Sequence, residues 1–196
     1  MSDPSPFTRL GREVLVANPW HSYARDRYVQ ADGSEGVYYY IDMPGSCAAI
    51  PVYADGSTVL VRVYRYLLGT ELWEFPIGGM RQGESPLAVA QKELHEEAGL
   101  VARQWTPLGR FAPYKGASTE ICHFFLARGL AEVGQQLEAS ERIEVVRLPF
   151  AVARARLLDQ ELGDGQSLAG LALLERWLAA GHPLVDGGLA DGAVDP

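Results

Sequence analysis

Over the first half of the chain, apolar and polar positions follow a strand period. Residues 12–16 and 21–29 carry it, separated by the break Asn18-Pro19, and residues 36–43 carry it again after the turn signal Ala31-Asp32-Gly33-Ser34. These segments predict an antiparallel pair of strands ahead of a core domain. Residues 46–53 form a continuous apolar run, as a strand buried on both faces would. Ala54-Asp55-Gly56-Ser57 turns that run into a strand over 58–66, where Val59, Val61 and Val63 alternate with Leu60, Arg62 and Tyr64. Further on, 105–111, 120–127 and 141–148 predict strands, with loops over 113–119 and 129–140. In the second of these strands Cys122, Phe124 and Leu126 alternate with His123 and Phe125. Two helices are expected at 150–162 and 167–180, broken by Gly163-Asp164-Gly165. No internal repeat is present. The organisation predicted is strands over 1–45, one core domain over 46–182 and a flexible tail over 183–196, rich in Gly, Ala and Asp.

The period changes between residues 78 and 100, in the stretch GGMRQGESPLAVAQKELHEEAGL. Ser85 suits an N-cap and Pro86 the first helical position. Gly99 stands where a left-handed C-terminal residue is wanted. Leu87, Ala90, Leu94 and Ala98 make one apolar stripe, and Glu93, Glu96 and Glu97 share the other face at i, i+3 and i+4. Like charges so close repel one another, and a hard divalent cation relieves that repulsion. A solvated acidic face is the other reading of the same residues.

Composition narrows the partners. At 196 residues the chain can bury a sizeable core, and 47% hydrophobic with 21% charged residues is ordinary for a globular protein. A net charge of −8 argues against a nucleic-acid partner, and an anionic substrate would have to be met by metal and local Arg or Lys. The two cysteines, Cys47 and Cys122, lie in apolar stretches, which points to buried thiols in a reducing compartment. With no signal peptide and no long apolar run, a cytoplasmic protein without a membrane partner is expected.

The spacing from Gly78 through Glu84, Lys92-Glu93, Glu96-Glu97 and Gly99-Leu100 resembles the Nudix box, G-x5-E-x7-R-E-U-x-E-E-x-G-U with U aliphatic. Every fixed position matches except the family Arg, which is Lys92 here. Lys keeps the charge and loses the planar fork. The resemblance implies an α/β fold, the Nudix α/β/α sandwich with a mixed sheet, and a loop–helix–loop holding Mg²⁺ or Mn²⁺. It implies Glu93 and Glu97 as main metal ligands, Glu96 and Glu84 assisting, and the carbonyl of Ile77 as a further ligand.

The subgroup acting on ADP-ribose and other nucleoside-diphosphate sugars is the nearest in pattern. Trp73-Glu74-Phe75-Pro76-Ile77-Gly78-Gly79 matches its W-E-x-P-x-G-G run, and Arg65 stands where it places a substrate-binding Arg. Glu74 is a second candidate for ligand or substrate contact. In this subgroup an N-terminal sheet crosses to a second subunit, which implies a homodimer and makes Trp20 and Tyr28 candidates for stacking a base or sugar. The subgroup's characteristic Pro after the box is Lys115 here, a candidate phosphate contact. Glu141 matches a metal-contacting acid. The base position falls on Ala139, so Glu138, Glu120 and Glu96 compete for general base. The implied activity is Mg²⁺-dependent hydrolysis of nucleoside-diphosphate sugars. A nucleoside di- or triphosphate hydrolase and a nucleotide-binding module without turnover stand as alternatives.

Overall fold

The computed structural model describes residues 5–137 and 142–185. Its centre is a four-stranded mixed sheet in the order β7-β4-β9-β8: β4 (Ser46–Pro51), β7 (Ile77–Gly79), β8 (Leu100–Phe111) and β9 (Cys122–Glu132). β4 and β9 run parallel, while β7 and β8 flank them antiparallel. Every residue of β4 is buried, as its unbroken apolar run requires. Ala48 and Ile50 face a cluster with Phe124, Ala153, Leu157 and Leu174. Ala49 faces Leu94 and Ala98, and Cys47 faces Val89 and Ala90. Helices therefore cover both faces: α1 (Pro86–Ala98) on one, α2 (Phe150–Leu158) and α3 (Gly165–Ala179) on the other. This is the three-layer α/β/α arrangement with a mixed sheet.

A second sheet, β10-β5-β6, is antiparallel and built from β5 (Ser57–Arg65), β6 (Thr70–Glu74) and β10 (Ile143–Pro149). The N-terminal segment is a third sheet of three antiparallel strands rather than two: β1 (Thr8–Ala17), β2 (Ser22–Val29) and β3 (Glu35–Asp42). It is tied to the body where Ile41 N–H donates to the Ala117 carbonyl at 2.8 Å and Tyr38 Oη–H donates to the Gly116 carbonyl at 2.7 Å.

Several boundaries differ from the pattern-based expectation. β8 starts at Leu100, not at residue 105, and β9 runs on to Glu132, because the two strands pair over their whole length from Leu100–Glu132 to Phe111–Cys122. The polar residues at their far ends break the alternation without breaking the pairing. α2 stops at Leu158 rather than 162, and the freed Gln160 side chain bonds both the N–H and the carbonyl of Trp73 on edge strand β6, at 2.8 and 3.1 Å. No helix among the described residues is long and apolar enough to cross a membrane.

Candidate active site

Helix α1 forms as its sequence dictates. Ser85 Oγ accepts from Ala88 N–H at 3.2 Å, Pro86 occupies the first turn, and Gly99 closes the helix at φ 66°. Its burial departs from the simple stripe. Val89, Ala90, Leu94 and Ala98 are buried while Leu87 is exposed, and the acidic face is not wholly solvated. Glu93 and Glu97 are only 8% and 5% exposed and turn toward β7.

Both carboxylates meet backbone. Glu97 Oε2 accepts the Ile77 N–H at 2.9 Å. The Glu93 carboxyl lies so close over Gly78 that a Cβ there would stand 1.9 Å from its Cδ, so any other residue would have to displace that carboxyl. Burial is the main reason the Glu97 acid is pushed up to about 8; the Ile77 N–H pulls it back and the Glu93 charge adds to the rise. Two confined like charges beside a glycine cradle are a donor set suited to a hard divalent cation. Glu96 is turned away to Lys92, whose Nζ lies 2.8 Å from Glu96 and 3.3 Å from Glu93 Oε1. Glu84 is exposed and accepts the Arg81 N–H at 2.7 Å. Among the described residues no three His, Cys, Asp or Glu side chains already form a metal cage.

In front of this helix is an open cleft of about 290 Å³, lined by Ser46, Arg65, Glu74, Gly78, Glu120 and Gln166 among others. Ile77 and Gly78 contribute its floor, and Glu97 and Glu93 lie directly behind them. Arg65, at the end of β5, faces Glu74 across the β5–β6 pair. Its Nε donates to Glu74 Oε1 at 2.7 Å and a terminal nitrogen donates to Oε2. Burial raises the Glu74 acid, and the guanidinium opposes that rise. Two of the five guanidinium N–H donors are so occupied.

The far wall comes from the start of α3. Asp164 caps that helix, accepting from Gln166 N–H at 3.3 Å and Ser167 N–H at 2.7 Å. Ser167 is fully buried and accepts the Phe75 N–H at 2.9 Å, which fixes the strand leading into the cleft floor. Gln166 reaches Ser46 and Glu120, at 2.8 and 3.2 Å. An Asp three residues ahead of Ser167 was a legible cap signal; nothing local singled out Ser46 or Gln166.

The structure thus brings Arg65, Glu74, Ile77, Glu93, Glu97 and Glu120 together. It leaves Lys115 exposed in the turn over 113–117, off the cleft lining. Trp20 is 70% exposed at the β1–β2 turn. Tyr28 packs edge-on to Phe7 and lines a separate hollow of about 540 Å³ on the N-terminal sheet. Glu138 and Glu141 lie outside the described residues.

A mixed-sheet α/β/α sandwich thus lays paired helical carboxylates behind a glycine floor, opposite an arginine. The NUDIX domain model matches residues 43–170, and the chain belongs to that family. It is 30% identical over 168 residues to an ADP-ribose pyrophosphatase of Mycobacterium tuberculosis (strain ATCC 25618 / H37Rv), covering 84% of this chain and 81% of that one. It is also 30% identical over 134 residues to an ADP-ribose pyrophosphatase of Bacillus subtilis (strain 168), covering 67% and 72%. A crystal structure of an ADP compounds hydrolase superposes with a TM-score of 0.78 at 21% identity, covering 92% of this chain and 98% of that one, which is a likeness of fold.

Proposed function

We propose that this protein hydrolyses the diphosphate bond of nucleoside-diphosphate sugars, ADP-ribose among them, giving a nucleoside monophosphate and a sugar phosphate. The observation that carries this reading is the burial of Glu93 and Glu97 together against the Ile77–Gly78 backbone, directly behind a cleft that Arg65 faces. The relatives named ADP-ribose pyrophosphatase support the substrate class.

Glu93 and Glu97, with the Ile77 carbonyl, would hold Mg²⁺ or Mn²⁺; Glu96 and Glu84 would join after leaving Lys92 and Arg81. When bound, the metal supplies charge neutralisation of the diphosphate and a more acidic water. The chain's own residues do the rest. Arg65 orients the phosphates through the donors that Glu74 leaves free. The floor glycines let the substrate approach the backbone. A carboxylate removes the water's proton, with Glu96, Glu120 and Glu138 as candidates; such a base contributes about 10²–10⁴-fold. A homodimer is part of the proposal, supported by the exposed apolar face of the N-terminal sheet. So is a cytoplasmic setting, supported by two buried free thiols whose acids burial pushes up to about 12.

Incubation of purified protein with Mg²⁺ and a nucleotide panel tests the reading. Release of monophosphate and sugar phosphate is expected. Cleavage of free nucleotides alone would make it a nucleoside di- or triphosphate hydrolase, and binding without turnover a module. Glu97→Gln should cut turnover by orders of magnitude while the fold persists; wild-type rates in that variant would refute the metal assignment.

A further inference from the structure

A second hollow, of about 350 Å³, opens beside the C-terminal end of α1 and shares no lining residue with the cleft. Its floor is apolar, from Val59 on β5, Leu100 on β8, Val145 on β10 and the last helical residue, Ala98. Its rim carries one charge of each sign, Arg147 and Glu132. Arg147 is held in place by the fold itself. Its Nε donates to Ser57 Oγ at 2.7 Å, a terminal nitrogen donates to Asp55 Oδ2 at 2.9 Å, and the guanidinium lies 3.5 Å over the ring of buried Tyr53. Those bonds take two of its five N–H donors. Glu132 is exposed, and no hydrogen bond or ion pair among the described residues involves its side chain. Arg147 pairs with Asp55 and not with Glu132, so the two rim charges do not cancel each other.

The hollow also touches the acidic helix. Gln135 lines it, and Gln135 Nε2 donates to the Glu97 carbonyl at 2.7 Å. Val133 N–H donates to the Gly99 carbonyl at 2.8 Å. A lone anion in the hollow would meet Glu132 and the carbonyl end of α1. A lone cation would meet Arg147. A wholly apolar body would leave both charges without a partner. A small zwitterion with an apolar side chain suits all three surfaces: carboxylate to Arg147, ammonium to Glu132, side chain on the floor. The volume lies at the lower end of ligand cavities, as a molecule of that size requires. We propose that this hollow binds an apolar α-amino acid and that its occupancy steadies the end of α1. The site goes beyond diphosphate hydrolysis and does not depend on it; its effect on metal binding rests on that reading. A ligand lying against Ala98, Gly99 and Gln135 favours the state in which Glu97 stays seated, and so tightens Mg²⁺. Linkage then requires Mg²⁺ to tighten the amino acid by the same factor.

The test is calorimetry on the metal-free protein with L-leucine, L-phenylalanine and two relatives of leucine that each lack one charge, leucinamide and 4-methylpentanoate. Both amino acids are expected to bind saturably with Kd below about 1 mM. Each one-charge relative should bind at least about tenfold more weakly, since one hydrogen bond to a charged group is lost. Glu132→Gln and Arg147→Leu, each checked for a cooperative melt, should weaken L-leucine by a similar factor. No saturable binding of either amino acid up to about 10 mM would overturn the site. Equal affinity for leucine and both relatives would overturn it too, as would unchanged affinity in Glu132→Gln. The relatives probe the wild-type chain, so the outcome stands even where a variant fails to fold. Mg²⁺ titration with and without saturating L-leucine reads the second claim: the Mg²⁺ Kd should fall about fivefold. An unchanged Kd overturns the coupling to α1. Wild type that binds L-leucine but no Mg²⁺ would sink the metal reading of Glu93 and Glu97 and leave the amino-acid site standing.

Discussion

Gly78 and Glu97 show how single residues set this site. At Gly78 the restriction is steric: the Glu93 carboxyl occupies the volume a side chain would need. Gly78→Ala should push Glu93 out of its seat and so weaken metal binding. A fall in turnover of about 100-fold or more is expected, from loss of one buried ligand, with little change in the far-ultraviolet circular dichroism. Mn²⁺ titration followed by electron paramagnetic resonance would show the loss directly; wild-type affinity in the variant would refute the Gly78–Glu93 fit. At Glu97 the restriction is electrostatic. Burial holds the Glu97 acid well above its ordinary range, so placing it in the fold costs stability when no divalent cation joins it, whether it stays charged or takes up a proton. Glu97→Gln keeps the shape and the acceptor for Ile77 N–H while removing that buried ionisable group. The metal-free variant should therefore melt higher than metal-free wild type, and Mg²⁺ should no longer raise its Tm. Calorimetry with and without a chelator measures both; an equal Mg²⁺-induced rise in the two proteins would contradict the assignment.

At the scale of elements, α1 is held between two kinds of closure. Its start is local, through Ser85 and Pro86, and both were legible because capping is a matter of neighbours in sequence. Its end is partly remote. Gly99 takes φ 66°, and a Cβ there would come within 2.8 Å of Gln135 N and the Gly134 carbonyl carbon. Gln135 Nε2 donates to the Glu97 carbonyl at 2.7 Å and Gln136 N–H donates to that of Glu96 at 3.0 Å, so the strand β9 exit is sewn onto α1. Gly99→Ala should cost at least about 1 kcal/mol from the left-handed backbone alone, a Tm drop of several degrees in a chain of this size. The same contrast explains what pattern reading left out. It found the acidic turn and put all three carboxylates on one face, but periodicity does not say that a facing glycine opens a seat for two of them. It found Glu120 but not its clamp, since Ser46 and Gln166 meet across 120 positions of chain. It assigned Ser167 to a helix start without seeing that it bonds Phe75 across 92 positions. Ser167→Ala would leave that buried N–H without its acceptor, at about 1–3 kcal/mol. It should lower both Tm and turnover, because Phe75 leads directly into Ile77. A variant with unchanged Tm would mean that another group takes over the bond.

At the scale of the molecule, the N-terminal sheet poses the largest unbalanced term. One of its faces presents Val16, Tyr23, Val37 and Tyr39, all between 43% and 66% exposed, with the Tyr23 and Tyr39 rings stacked at 6.1 Å. Ion pairs Arg25–Glu13 and Arg27–Glu35 lie on the same face. An apolar patch rimmed by charge is what a protein contact looks like before it forms. Its size argues for more than sheet-on-sheet contact. Three strands of about eight residues present roughly 400 Å² on one face, from the strand spacing and rise. A stable interface buries about 800 Å² per partner. The remainder must come from the body, and the β5–β6 hairpin tip offers it: Tyr66 and Leu67 are 86% and 93% exposed, and Leu68 beside them lines the cleft. The expected homodimer therefore places the sheet of one protomer against the hairpin tip of its partner, close to the cleft, so that dimerisation and substrate affinity are coupled. Val16→Lys and, separately, Leu67→Asp should each weaken self-association at least tenfold and raise KM while leaving the monomer folded. Light scattering across a dilution series reads the first effect and steady-state kinetics the second. A wild-type protein that is monomeric at tens of micromolar would refute the dimer. A dimer that Val16→Lys dissociates and Leu67→Asp does not would place the hairpin tip outside the interface.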